Sequence, residues 1–105
     1  MGEGQEVGSL SEREFAQASM ALKALSHPLR LKILCLLGGE GHEVSALEIM
    51  LAIGASQSNA SQHISILRSK GIIAARKDGN RVMYRISDER MLGLFHMMCD
   101  LFGDE

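Results

Sequence analysis

A run of hydroxyl and amide side chains at residues 56–68 carries the clearest chemistry in the sequence. Ala60, Ile64 and Leu67 recur at helical spacing, which predicts a helix with one face in a core. The opposite, polar side and first turn of that helix hold Ser56, Gln57, Ser58, Asn59, Ser61, Gln62, Ser65 and Arg68. Amides pair bidentately with adenine and hydroxyls serve several bases or phosphates, so these residues suit major-groove reading. The alternative is an ordinary solvated face, but such faces usually carry Glu and Lys, and neither precedes Lys70.

A basic cluster just after this helix forms a second candidate contact. Its members, Arg76, Lys77 and Arg81, flank the tripeptide Asp78-Gly79-Asn80. That tripeptide separates two strand-like runs, 72–77 and 81–86, and predicts a β-hairpin. A short basic hairpin suits contact with phosphates or a minor groove. The alternative is a solvated turn whose charge only protects a sheet edge.

Caps and breakers predict the helices that must position these residues. Ser9-x-x-Glu12 and Ser11-x-x-Glu14 are capping boxes for a first helix that reaches about Leu25. Pro28 begins an almost wholly apolar second helix, which Gly38-Gly39 is expected to end.

The remaining helices are predicted by the same signals. Ser45-x-x-Glu48 opens a short third helix with Gly54 as its C-cap. Ser56 caps the fourth helix, which runs to about Lys70, and 87–89 cap a last helix with apolar positions at helical spacing. The order ααααββα is that of a winged helix-turn-helix, mainly α with a β-hairpin wing (α+β). Residues 1–8 are expected to form a flexible tail and 9–105 one domain.

Composition bounds the class of protein. The chain has 105 residues, 46% of them hydrophobic, with no apolar run near the roughly 20 residues that span a bilayer. No secretory signal is recognisable, and two cysteines do not make a disulfide scaffold, so we expect a cytoplasmic protein without a membrane partner. No catalytic or phosphate-loop motif is present, so we expect neither an enzyme nor a cofactor.

The distribution of charge favours a nucleic-acid partner. The net charge is −2. Residues 55–90 nevertheless carry seven basic and three acidic side chains, a charge of +4, and the rest of the chain carries −6. An acidic body disfavours non-specific binding while the predicted reading head stays basic.

Two segments resemble one family. LSHPLRLKILCLL and SQSNASQHISILRSKGIIAARKDGNRVMYRI look like the ArsR/SmtB transcriptional repressors over roughly residues 18–102. The resemblance implies a homodimer joined through the first and last helices. It also implies binding to a pseudo-palindromic double-stranded DNA operator and release of the DNA by a small inducer.

Two metal sites familiar in that family are missing from this sequence. The helix before the reading helix, SALEIMLAI, has no Cys or His, and Arg90 replaces the His expected after Asp88. His96 remains, with Asp104 and Glu105, at a different spacing. The familiar zinc, cobalt and arsenite sets are therefore not predicted.

Cys35 on the second helix and Cys99 on the last resemble the dithiol branch of the family, which includes SqrR-, BigR- and HlyU-like regulators. That resemblance implies redox sensing of oxidants or reactive sulfur species, although Cys99 falls about one helical turn, some 5.4 Å, before the usual second cysteine. A direct disulfide needs Cα atoms within about 7 Å, whereas a polysulfide bridge spans more. The alternatives are an atypical metal or metalloid site using Cys35, His96 or Cys99, and two buried thiols with no sensing role.

Overall fold

The computed structural model describes residues 8–40 and 43–103, which form five helices and a three-stranded sheet. The helices are α1 (Glu12–Ala24), α2 (Pro28–Glu40), α3 (Ala46–Ile53), α4 (Gln57–Ser69) and α5 (Met91–Phe102). The strands are β1 (Val44–Ser45), β2 (Ile73–Asp78) and β3 (Arg81–Ile86). The winged helix-turn-helix architecture is confirmed. Apart from Gly8, the predicted tail lies outside the described residues.

Most helix ends follow the caps in the sequence. Ser11, rather than Ser9, closes the capping box of α1 with Glu14, and Ser45 forms the equivalent box with Glu48 at the start of α3. Gly54 ends α3 in the left-handed conformation, at φ 69°, which a residue without Cβ adopts without strain. This turn sets the angle between α3 and α4.

Two predicted helix ends were wrong. The second helix does not end at Gly38-Gly39 but continues to Glu40. The last helix has no side-chain cap at its N-cap, Arg90, and Asp88 instead accepts a hydrogen bond from the Arg90 backbone. The second helix continues through its glycines because a glycine inside a helix costs only about 1 kcal/mol relative to alanine, and the packing of α2 against α5 outweighs that cost.

The sheet is antiparallel in the order β1-β3-β2. The hairpin pairs Ile73 with Ile86 and Asp78 with Arg81, so its free end carries the basic residues. No pattern in the sequence predicts β1, whose two residues pair with Tyr84 and Met83. This short strand fixes the hairpin to the segment that leads into α3.

A single core holds α4 against the rest of the domain. Its fully buried side chains are Ile33, Leu34, Leu37, Ile49 and Leu67. These residues come from α2, α3 and α4, so the helix-turn-helix packs against the central apolar helix α2. Burying each such side chain stabilises the fold by roughly 1.5–3 kcal/mol.

Candidate nucleic-acid interface

The polar residues of α4 other than His63 lie on its exposed side. Ala60, His63, Ile64 and Leu67 are buried on the opposite side. The exposed set comprises Gln57, Ser58, Asn59, Ser61, Gln62, Ser65 and Arg68. The first turn contains no acidic residue. The helix therefore presents amide and hydroxyl side chains to solvent. Its first turn is also the positive end of the helix dipole.

Ser56 has a defined structural task at this end of the helix. Its side-chain oxygen accepts a hydrogen bond of 3.1 Å from the backbone N–H of Asn59, which makes it the N-cap of α4. The hydroxyl proton remains free to donate to a phosphate. Ser56 thus holds the first turn in shape and stays exposed beside the amide side chains.

Three exposed cations surround the tip of the wing, and one of them is already paired. Lys77 and Arg81 flank the turn, where Gly79 takes a positive φ of 65°. Arg76 forms a bidentate contact with the Glu43 carboxylate, at 2.7–2.8 Å from Nε and 2.7 Å from Nη2. The pKa of Glu43 is lowered mainly by its hydrogen bond from Arg76 and also by the charges of Arg76 and Arg85. Arg76 must therefore leave or share this carboxylate if it is to bind a phosphate.

Glu43 was missed as a functional residue by sequence reasoning. It lies 33 residues before Arg76, and only the pairing of β1 with β3 brings the two together. No short-range spacing in the sequence could have indicated this pair.

The two cysteines lie along the same contact between α2 and α5. The two helices approach closely at Gly38, where an added Cβ would meet Leu92 and Phe95 at 3.3 Å. Cys35 lies one turn before Gly38, and Cys99 lies one turn after Phe95. Burial raises the pKa of the half-buried Cys35 thiol, and the charge of Cys99 raises it further. Cys99 is exposed and therefore accessible to reagents, whereas the raised pKa of Cys35 should make its thiol react slowly.

No metal site is formed by the described residues. Within 8–40 and 43–103, no three His, Cys, Asp or Glu side chains gather in a way that could hold an ion. His96 is exposed on α5 with its ring 5.1 Å from that of Phe95. The acidic residues 104 and 105 lie outside the described part. In the same described part, no helix is long and apolar enough to cross a membrane.

Comparison with known proteins identifies the family. Residues 27–75 match the model of the bacterial regulatory protein arsR family. The biofilm growth-associated repressor of Xylella fastidiosa (strain Temecula1) is 33% identical over 91 residues, which cover 87% of this chain and 78% of the repressor.

Two solved structures agree with this match. Reduced HlyU from Vibrio cholerae superposes with a TM-score of 0.80 at 32% identity, covering 89% of this chain and 96% of HlyU. The homodimeric winged helix-turn-helix DNA-binding domain Mb0332 from Mycobacterium bovis gives 0.71 at 33% identity, covering 90% and 91%. The protein therefore belongs to the ArsR family of bacterial regulatory proteins, and it is a transcriptional regulator and not an enzyme.

Proposed function

We propose that the protein is a homodimeric repressor that inserts two copies of α4 into successive major grooves of a pseudo-palindromic operator. The exposed face of α4 carries this proposal, because its amide and hydroxyl side chains are able to hydrogen-bond to bases or phosphates and none is acidic. The family relatives are regulators, and the Xylella relative is named a repressor. Two reading heads should lie about one helical turn of DNA apart, roughly 34–36 Å.

Apolar side chains left exposed on the first and last helices support the dimer. On α5, Met97, Leu101 and Phe102 are 55%, 68% and 82% exposed. On α1, Phe15, Met20 and Leu22 are also exposed. The related domain Mb0332 is homodimeric. A second copy of this chain would remove these side chains from water, at about 25 cal/mol per Å² of apolar surface.

Sedimentation tests the dimer directly. The unmodified protein should sediment as a dimer at micromolar concentration, and Leu101→Glu should shift it towards monomer because a charge enters the apolar seam. Lys32→Glu, an exposed change on α2, is the matched control and should leave the dimer intact. A monomeric unmodified protein would contradict the proposal.

Salt dependence and base preference test DNA reading. Binding to a duplex selected by this protein from a random pool should weaken as salt rises, because phosphate contacts release counterions. Gln62→Ala should relax base preference at one position of each half-site, whereas Lys77→Ala should weaken binding to all sequences alike. Equal effects of the two changes on every sequence would argue against base reading by α4.

We further propose that the inducer acts on Cys35 and Cys99. The exposed Cys99 thiolate attacks a sulfur of an organic polysulfide, forming an S–S bond and releasing a thiolate or hydropolysulfide. Cys35, after losing its proton, attacks the sulfur chain now attached to Cys99 and expels the second half of the reagent. Two thiols are thereby oxidised by two electrons, and the polysulfide is reduced to two anions. The bridge links α2 to α5, which contributes to the proposed dimer seam, and so alters the angle between reading heads.

Intact-mass spectrometry tests this chemistry. After polysulfide treatment, the unmodified chain should carry a reducible link between Cys35 and Cys99 with zero or more added sulfur atoms. Cys35→Ser should accumulate an unresolved adduct on Cys99, and Cys99→Ser should react slowly because burial raises the pKa of Cys35. Fast modification of Cys35 in the Cys99→Ser chain would contradict this order of events. A stable metal adduct without a sulfur link would favour metal sensing instead.

A further inference from the structure

A cluster of nitrogen groups joins the buried side of the reading helix to the turn between α1 and α2. The Arg30 guanidinium lies 3.2 Å from His63 Nδ1 and also donates, through Nε, to the Ala24 carbonyl at the end of α1. The rings of His27 and His63 lie 4.4 Å apart between centroids. His63 is only 6% exposed. One side chain, Arg30, therefore ties α4 to the end of α1 and the start of α2.

The hydrogen bonds fix where the ring protons lie. A guanidinium only donates, so His63 Nδ1 must accept and its proton lies on Nε2. His27 is constrained in the same way, because its Nδ1 accepts from the backbone N–H of Leu29 at 3.1 Å. The His63 imidazole is thus neutral in this arrangement. A proton added to His63 Nδ1 would remove the acceptor and turn the Arg30 contact into repulsion between two cations.

The surroundings of His63 favour its neutral form. Burial is the largest cause that lowers the pKa of His63, and the positive charge of Arg30 also lowers it. On the outer side, Arg30 shares a cleft with Lys23 of α1 and Lys70 at the end of α4. These charged groups from α1, α2 and α4 are all cations, so protonation of His63 would add one more positive charge to a positive cluster.

We propose that His63 and Arg30 are positioning residues that make DNA reading proton-sensitive. With His63 neutral, the Arg30 contact holds α4 at a fixed angle to α1 and α2. When His63 gains a proton, this contact opens, α4 loses a fixed support, and the affinity for DNA falls. The inference rests on DNA reading by α4 as proposed above, and it assigns acidification as a second input that requires neither cysteine.

The decisive experiment measures the dissociation constant against pH at constant ionic strength. The probe is a 30-base-pair duplex selected by the protein from a random pool at pH 7.5, and circular dichroism monitors folding at each pH. We expect the affinity of the unmodified protein to fall about fivefold or more between pH 7.5 and 5.5, the lower range of coupling between two sites. His63→Asn keeps an acceptor near the Nδ1 position without titrating, so its affinity should stay level.

The matched control is His96→Asn, which removes an exposed histidine on α5. It should keep the acid dependence of the unmodified protein. Equal acid dependence in the unmodified and His63→Asn chains would overturn the inference, as would affinity that stays constant or rises on acidification. If no duplex is selected even at pH 7.5, DNA reading itself is contradicted.

A second measurement covers the case in which His63→Asn does not fold. In NMR titrations of the unmodified protein, the His63 ring should protonate below the ordinary histidine pKa of 6.5, and the Arg30 Nε signal should move with it. Arg30→Gln keeps a donor but removes the charge, so both the His63 titration and the loss of DNA affinity should shift to higher pH. If Arg30 and His63 had a purely structural role, Arg30→Gln would not shift the midpoint pH of His63 protonation and the midpoint pH of affinity loss together. That result would contradict the inference.

Discussion

Removing the Glu43 carboxylate should release a DNA-binding cation on the wing. Glu43 holds Arg76 by contacts from Nε and Nη2 at 2.7–2.8 Å, so in the free protein the guanidinium faces a carboxylate. Glu43→Gln removes the charge and keeps the shape. If each freed Arg76 then neutralises one phosphate, the slope of log K against log salt should steepen by about 0.9 per protomer, or about 1.8 per dimer.

That slope corresponds to a measurable change in affinity. Between 50 and 200 mM salt, a fourfold range, the Glu43→Gln protein should lose about 12-fold more affinity than the unmodified protein. Fluorescence anisotropy with a labelled operator, repeated at four salt concentrations, gives both slopes. At the lowest salt the variant should bind more tightly.

A double-mutant cycle separates this effect from the general loss of a negative charge. Arg76→Gln should change the slope of log K against log salt only slightly, because the Arg76 guanidinium is already paired with the Glu43 carboxylate in the unmodified protein. Glu43→Gln in the Arg76→Gln background should leave the slope almost unchanged. If Glu43→Gln steepens the slope equally in both backgrounds, Arg76 is not the released cation and the reasoning is refuted.

Three further predictions concern the stability of the reading helix. Ser56→Ala should lower the free energy of unfolding by about 1 kcal/mol in urea titrations, since the Asn59 N–H loses its hydrogen-bond acceptor. The control Ser58→Ala removes no capping side chain and should lower the free energy of unfolding much less. Leu67→Ala empties a fully buried position and should cost roughly 2–5 kcal/mol; a cost below 1 kcal/mol would contradict the core described above. The pKa of His63 lies below its ordinary 6.5, so the unfolded chain binds more protons and the free energy of unfolding should fall as pH drops below about 6.5. His63→Asn should flatten that pH dependence.

The helix-turn-helix was predictable because its signals are local. Ser45, Gly54 and Ser56 act on neighbouring backbone groups, and each cap in the structure forms within three or four residues of its partner. The exposed face of α4 followed from the spacing of Ala60, Ile64 and Leu67 in the same way. Local hydrogen bonds and helical periodicity depend on nearby residues alone, so one sequence suffices.

Features that depend on long-range contacts were not predictable. The two residues of β1 carry no strand pattern of their own, and only their pairing with β3 makes them a strand. The continuation of α2 through Gly38 reflects the close approach of α5, whose side chains surround that glycine. The hydrogen-bond partner of His63, Arg30, lies 33 residues away, and only the packed fold shows it.

Under the proposed function, a link between Cys35 and Cys99 releases the dimer from DNA. The most direct test is the dissociation constant for one selected operator, measured on a single sample when reduced, after polysulfide treatment, and after re-reduction. We expect at least about tenfold weaker binding, equivalent to 1.4 kcal/mol, in the treated sample only, with recovery on reduction and no response in Cys35→Ser. Unchanged affinity in a sample that mass spectrometry shows to be fully linked would contradict it.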